Sequence, residues 1–319
     1  MYLVTGGAGF IGSHIVRGLN DRGITDIMVV DDLSMGSKFV NLSDCTVADY
    51  LDRSELSNAI EKGTLDTRFE SILHQGACTD TMEYDGRYMM ENNFSFSKRL
   101  FHYALMRKIP FVYASSAAVY GAGRESAEIP ENERPLNVYG YSKLAFDQHV
   151  RQWIDQAQST VVGLRYFNVY GPRETKKGKM ASMVYQLYRQ LSENGVARLF
   201  EGTDGYGDGE QRRDFVFVED VVAVNLFFAG THDRKSIVNV GCGQSRSFND
   251  IANTLIELLG KGRIEYIPFP EGLKGKYQSF TQADITSLRS VGYAEPFSSL
   301  EEGISRSFES WQQLDPATD

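Results

Sequence analysis

Tyr139-Gly140-Tyr141-Ser142-Lys143 stands where a helix begins, and a spacing of four puts the Tyr139 phenol and the Lys143 ammonium on one face of it. A free phenol has a pKa of about 10, so a base working near pH 7 asks for about 4 kcal/mol of preferential stabilisation of the phenolate. An adjacent ammonium, with a second positive charge close by, would supply it. Upstream, Ala114-Ser115-Ser116-Ala117-Ala118-Val119-Tyr120-Gly121 offers the Ser116 hydroxyl as a donor to the same substrate oxygen. Taken alone, tyrosine and lysine at this spacing are common as surface packing; here they follow a serine loop in an order that suits proton transfer at an alcohol.

Such chemistry needs a hydride acceptor, and the first residues read as its seat. Val4-Thr5-Gly6-Gly7-Ala8-Gly9-Phe10-Ile11-Gly12 is a strand breaking into a glycine-rich turn that opens a helix. Gly6, Gly9 and Gly12 let the backbone turn, approach a pyrophosphate and pack helix on strand, with helix N–H groups facing the phosphate. Ile11, Ile15 and Leu19 recur at helical spacing, Asp21-Arg22-Gly23 ends the run, and Ile27 to Val30 reads as a buried parallel strand. Asp31 follows at its tip, where a carboxylate can bind the adenosine ribose hydroxyls. The cationic nicotinamide ring is then the second charge that Tyr139 needs, and Lys143 can hold the nicotinamide ribose. Asp31 favours NAD, whereas Lys38, with Arg53 as a further cation, argues for the 2′-phosphate of NADP. A strand starting at Tyr2 is expected to leave no room for a leader.

The 319 residues, 42% hydrophobic, suffice for one large or two smaller domains. No apolar run approaches the roughly eighteen residues of a membrane span, so a soluble protein is expected. A net charge of −9 disfavours a general nucleic-acid binder. Local basic clusters remain at Arg173, Lys176, Lys177 and Lys179, at Arg212-Arg213, and at Lys274 and Lys276, suited to a small, multiply anionic ligand or to plain solvated loops. Cys45, Cys78 and Cys242 are scattered, which fits a reduced cytoplasm and gives no disulfide frame. The five histidines show no ligand spacing, so no metal site is expected, and His74 at a strand end reads as a packed residue rather than a catalyst.

Strands at 45–48, 71–74, 111–114 and 161–165, with helices near 53–62, 87–107 and 139–157, continue the alternation. The fold class is α/β, a doubly wound parallel Rossmann sheet with a second, smaller α/β substrate domain. Its ligand crevice lies beyond the carboxyl ends of the strands, at 76–79, 115–117 and 166–168. Later segments read as helices near 180–193, 219–230, 247–259 and 298–313, and strands at 214–218, 238–241 and 264–267. The division expected is a dinucleotide-binding domain at 1–168 and a substrate domain at 169–319, with 214–240 returning to the main sheet. The glycine-rich 202–212 loop is the expected mobile element.

The glycine turn, S-S-A-A-V-Y-G at 115–121, Tyr139-x-x-x-Lys143 and R-Y-F-N-V-Y-G-P-R at 165–173 together resemble the extended short-chain dehydrogenase/reductases, the class of nucleotide-sugar epimerases and dehydratases. Its dehydratases carry an acidic pair in the serine loop; Ala117 and Ala118 stand there, which argues against elimination. H-x-G-A-C (74–78), Y-M-M-x-N-N (88–93), K-G-x-M-A-S (177–182), L-F-E-G (199–202), R-D-F-V (213–216) and K-G-x-Y-Q-x-F-T-Q-A-D (274–284) are similar, more narrowly, to the ADP-L-glycero-D-manno-heptose 6-epimerases, nearly end to end.

The resemblance implies NADP-dependent inversion at C6″ of ADP-D-glycero-D-manno-heptose, supplying lipopolysaccharide core in the bacterial cytoplasm, by a homo-oligomer, a pentamer in that family. Because the stereocentre is exocyclic, a transient ketone shows its other face after a half-turn about C5″–C6″, and the oxygen then needs a second proton carrier. The family places a lysine there, matching Lys177, although Lys176 and Lys179 are close by and a phosphate contact is open to each. Cofactor contacts implied are Gly6, Gly9, Phe10, Ile11, Gly12, Asp31, Asp32, Lys38, Arg53, Gln75, Gly76, Ala77, Cys78, Thr79, Asn92, Lys143, Val169 and Lys177. Substrate contacts implied are Ser116, Asn168, Lys179, Gln186, Phe200, Glu201, Gly202, Thr203, Arg213 and Tyr277. Histidine is common in the family at Gln186, serine at Lys179 and glutamate at Gln75, and Asp204 to Gln211 lengthens the loop before Arg213. A UDP-hexose 4-epimerase, which must flip the whole sugar ring, and a non-catalytic NAD(P)-binding regulator are the competing readings; the latter would have lost Tyr139 or Lys143.

Overall fold

The computed structural model describes residues 1–273 and 277–314; Lys274 and Lys276 of the third basic cluster lie outside the described residues. The first half alternates strand and helix: β1 (Tyr2–Thr5), α1 (Phe10–Asn20), β2 (Ile27–Asp31), β3 (Asp49–Asp52), α2 (Arg53–Glu61), β4 (Ser71–His74), α3 (Gly86–Met90), α4 (Phe96–Arg107), β5 (Phe111–Ser116), α5 (Val138–Trp153) and β6 (Val161–Tyr166). Then follow β7 (Asn168–Tyr170), α6 (Met183–Asn194), β8 (Val196–Phe200), β9 (Arg212–Phe217), α7 (Val218–Ala229), β10 (Lys235–Val240), β11 (Ser245–Ser247), α8 (Phe248–Leu259), β12 (Arg263–Ile267), α9 (Thr286–Ser290) and α10 (Leu300–Leu314).

Among the described residues the large sheet has seven strands in the order β10-β6-β5-β4-β1-β2-β3, every pair parallel. Period-two alternation in β1, β2 and β4 sends Val4, Val29 and Leu73 to a core shared with α1 and α7, and Leu3, Met28, Val30 and Ile72 to one shared with α4 and α5. Both faces are therefore covered, as a parallel sheet requires. The strand order reverses between β1 and β4, and there Gly6 touches Gly76: a Cβ on Gly6 would meet the Gly76 backbone at 2.7 Å, and Gly6 itself has φ +67°.

Two departures from the sequence reading have physical causes. The strand expected at 45–48 forms instead at Asp49–Asp52, in register with Met28 to Asp31. Cys45 and Val47 pack on the core as a loop, and β3, an edge strand, pairs its backbone through residues too polar to look like one. The helix expected at 87–107 is interrupted by a π-turn, Glu91–Ser95. That turn rolls Asn93 inward, where its amide bonds the backbone of Cys78 in both directions (2.8 and 2.9 Å) and the Ser142 hydroxyl of α5 (3.0 Å).

Of the 214–240 stretch, β10 lies at the edge of the large sheet, while β9 pairs with β7 and β11 in a separate three-stranded sheet. β8 and β12 make a parallel pair beside α6 and α8. A third core, with Trp311 of α10, Tyr185 and Tyr188 of α6 and Phe215 and Phe217 of β9, packs under these elements. The 202–212 loop is tied to α8: Asn249 donates to the Asp208 carbonyl (2.9 Å) and to the Gly209 carbonyl through its own N–H (3.1 Å).

Candidate active site

One cleft of about 1220 Å³ runs between the carboxyl ends of the large sheet and the β7 to β9 layer, larger than one drug-sized ligand fills. At its floor a Cβ on Gly12 would come 2.0 Å from the Gly6 carbonyl, so the turn admits only glycine there. Among the described residues the first turn of α1 has neither an acid nor a side-chain cap, which leaves its N–H groups to an anion. These features fit a dinucleotide pyrophosphate.

The acid at the tip of β2 is held by the protein itself. Asp31, nearly buried, accepts from the Ala8 N–H (2.8 Å), the Asp32 N–H (2.7 Å) and the Lys38 ammonium (3.0 Å), and Lys38 also reaches the Asp32 carbonyl (2.9 Å). Arg53, at the first position of α2, lines the same end of the cleft.

Ser116 ends β5, and Tyr139 and Lys143 lie on the first turns of α5, whose N-terminus is capped by Asn137 (2.8 Å to the Gly140 N–H). All three line the cleft, and Ser116 hydrogen-bonds Tyr139. Burial raises the Tyr139 pKa and the Ser116 hydrogen bond lowers it. Lys143, also buried, is brought down to about 8 by desolvation, with Asp147 one turn later opposing the fall. Its ammonium donates to the Ala114 carbonyl (2.9 Å). The Asp147 carboxylate accepts from Tyr113 (2.9 Å), Ser115 (2.9 Å) and the wholly buried Arg165 (2.9 Å), so β5, β6 and α5 are locked together behind Ser116 and Lys143.

Lys177 enters from the 171–182 loop, with its ammonium 4.9 Å from the Phe10 ring centre at the glycine turn. Burial pulls its pKa down and Glu174 pulls it back up. Lys176 also lines the cleft but is exposed; Lys179 is exposed and does not line it. Arg213 and Arg212, neighbours on β9, face opposite ways. Arg212 bonds the Ser245 hydroxyl (3.1 Å) and carbonyl (2.5 Å). Arg213 lies buried in the cleft wall, 4.8 Å from the Tyr277 ring centre and 5.7 Å from that of Phe248, and among the described residues no carboxylate pairs with it.

The other residues implied by resemblance divide. Gly6, Gly9, Phe10, Ile11, Gly12, Asp31, Asp32, Lys38, Gln75 to Thr79, Asn92, Asn168, Val169, Gln186, Phe200 and Tyr277 line the cleft. Glu201, Gly202 and Thr203, which follow β8, do not. Gln75 closes a buried ring with Tyr166 (2.9 Å) and Asn225 (3.0 Å). His74 is packed, with hydrogen bonds to Thr5 (2.6 Å) and Ser97 (2.8 Å) and a pKa pushed down to about 3 by burial. Sequence reasoning passed over Asn93, Asp147, Arg165 and Glu174, though Asp147 follows Lys143 by one helical turn and that spacing was readable. No helix among the described residues is long and apolar enough to cross a membrane.

Residues 2–241 match the model of the NAD dependent epimerase/dehydratase family. The chain belongs to that family. The ADP-L-glycero-D-manno-heptose-6-epimerase of Alkalilimnicola ehrlichii is 56% identical over 304 residues, 95% of each chain. Among solved structures, the Helicobacter pylori ADP-L-glycero-D-manno-heptose-6-epimerase is 34% identical, with a TM-score of 0.84 over 97% of this chain and 95% of its own. The UDP-glucose 4-epimerase of Thermotoga maritima, solved with UDP-glucose, is 29% identical, with a TM-score of 0.80 over 98% and 99%. This family member therefore carries, in one cleft, the tyrosine, lysine and serine expected of an epimerase and the additional Lys177.

Proposed function

We propose that the protein interconverts ADP-D-glycero-β-D-manno-heptose and its L-glycero epimer at C6″ with NADP as cofactor. The observation that carries this reading is the meeting of two proton-bearing side chains in one cleft, Tyr139 from α5 and Lys177 from the 171–182 loop. The relatives named for this activity support it further. A dinucleotide held at the Gly6, Gly9 and Gly12 turn, with Lys143 at its nicotinamide ribose, would supply the hydride acceptor and donor for C6″.

The chain's own residues do the rest. Ser116 and Tyr139 hold the C6″ oxygen in one orientation and Tyr139 moves its proton; after the half-turn about C5″–C6″ the oxygen lies toward Lys177, which serves as the second carrier. Arg213, buried between two aromatic rings and, among the described residues, without a carboxylate, suits the substrate diphosphate, with Gln186, Asn168, Phe200 and Tyr277 lining the same cleft. Lys179 and Glu201 to Thr203 would contact substrate only from outside the lining. Asp31 already accepts from Ala8, Asp32 and Lys38, and Arg53 lines the same cleft, which suits a 2′-phosphate better than a free hydroxyl. The same reading takes residues 1–168 as the cofactor domain and 169–319 as the substrate domain, in a cytoplasmic homo-oligomer that feeds lipopolysaccharide core assembly.

The purified protein, given the ADP-D-glycero-heptose, is expected to yield the L-glycero epimer with no net change in NADPH. Absence of turnover there, with turnover of UDP-galactose assayed alongside, would transfer the assignment to the 4-epimerases.

A further inference from the structure

We propose that Glu174 is the positioning residue for Lys177: its carboxylate fastens both ends of the 171–182 loop and so holds the Lys177 ammonium at the glycine turn. The inference rests on the reading of Lys177 as second proton carrier. Glu174 is fully buried and is not itself part of the cleft lining. One carboxylate oxygen accepts from the Gly171 N–H (3.0 Å) and the Ser182 hydroxyl (2.7 Å), the other from the Ser182 N–H (2.6 Å). Gly171 follows the last residue of β7, and Ser182 is the N-cap of α6, its Oγ accepting from the Tyr185 N–H (3.2 Å). A single acid thus joins the end of one element to the start of the next.

Between those ends the backbone winds in short turns that begin at Glu174 itself. The Lys177 N–H donates to the Glu174 carbonyl (2.9 Å), the Met180 N–H to the Lys177 carbonyl (3.0 Å) and the Ala181 N–H to the Gly178 carbonyl (3.2 Å). Lys177 therefore inherits its place from Glu174 through the main chain. Its charge also feels the acid through space, since Glu174 opposes the downward pull of burial on the ammonium. An amide could not replace the acid: glutamine has one acceptor oxygen, and its NH₂ would face an N–H or a hydroxyl already committed as a donor. Loss of about an ångström of placement at a reacting group costs on the order of 100-fold in rate.

The test uses the full-length enzyme with Glu174→Gln, Glu174→Asp and Lys177→Met, each given the D-glycero and the L-glycero substrate separately. Net epimerisation and single-turnover reduction of bound NADP, read by the absorbance of reduced nicotinamide, are followed together with acetic anhydride labelling of Lys177. Glu174→Gln is expected to lower the net epimerisation kcat about 100-fold with KM little changed, to keep cofactor reduction from one epimer only, as Lys177→Met does, and to raise labelling of Lys177 but not of Lys143. Glu174→Asp, which keeps the charge, recovers part of the rate. Equal loss of cofactor reduction from both epimers would mark a general structural role and overturn the proposal, as would a wild-type rate in Glu174→Gln beside an inactive Lys177→Met. A wild-type rate in Lys177→Met would instead remove the second carrier, and this inference with it. If Glu174→Gln does not fold, Ser182→Ala, which removes one of the three donors, decides in the same way: a smaller loss biased to one epimer supports the clamp, an unbiased loss rejects it.

Discussion

The two side chains proposed as proton carriers are supported in opposite ways. Tyr139 rides on a sixteen-residue helix whose inner face is bolted to β5 and β6 through Asp147, Arg165, Tyr113 and Ser115. Lys177 rides on an irregular loop fixed by one carboxylate and three donors. The first arrangement distributes its hold over a buried ionic network; the second joins the two ends of the loop through one buried carboxylate, with Arg173 tying the segment to Asn41 and Asp44. A network of that kind gives rigidity at the cost of desolvating several charges, whereas the loop desolvates one buried carboxylate.

The largest expected effects break the comparison at its ends. Tyr139→Phe and Lys177→Met should each lower net epimerisation by about 10³-fold or more, measured by product analysis, while a single orientation still exchanges hydride. Next, Asp147→Asn leaves Arg165 with a buried, half-compensated charge and should reduce unfolding free energy by about 3–5 kcal/mol in urea titrations, far more than Glu174→Gln does. An equal loss from the two would show that the clamp is as deeply built as the network. Arg213→Met is expected to raise the substrate KM by roughly 10- to 100-fold with a smaller change in kcat, since it removes a charge-assisted contact made in ground and transition state alike.

The smallest effect concerns pH and separates scaffold from site. His74 is held down to about 3 and His14 to about 4, both mainly by burial, against an unfolded value near 6.5. Their contribution is complete above about pH 6.5; below it the unfolded chain binds protons that the folded one refuses, so stability falls by about 1.4 kcal/mol per pH unit per group toward pH 4. Denaturant midpoints at successive pH values check the slope, and His74→Gln should make it shallower. Activity changes over that range that exceed the stability loss would trace to the cleft instead.

Much of the main sheet was legible because its strands are buried on both faces and its helices carry long apolar periods, as Ile15, Leu19, Val29 and Leu73 do. β3 was misplaced because an edge strand needs backbone pairing more than apolar side chains, and Asp49 and Asp52 carry no sign of it. The glycine turn, Ser116, Tyr139 and Lys143 were readable because their chemistry demands fixed residue types at fixed spacings. The roles of Glu174 and Asp147 were not, although the spacing of Asp147 one turn after Lys143 was, since a buried acid is written in sequence just as a solvated one is, and only the fold reveals which donors converge on it. Asp31 shows the same blindness in milder form: its position was clear, but not that Ala8, Asp32 and Lys38 already claim its oxygens.

The positively turned Arg173, with φ of +66°, bridges back across the cleft mouth. Its guanidinium grips the Asn41 carbonyl (2.6 Å) and the Asp44 carboxylate (2.6 Å), and the Asn41 amide in turn bonds the Ala8 carbonyl in the glycine turn (3.0 Å). The segment bearing Lys177 is thereby harnessed to the loop that follows Lys38 at the adenosine end. A dinucleotide seated at the adenosine end would therefore lie against the same chain of hydrogen bonds to which the Lys177 segment is tied.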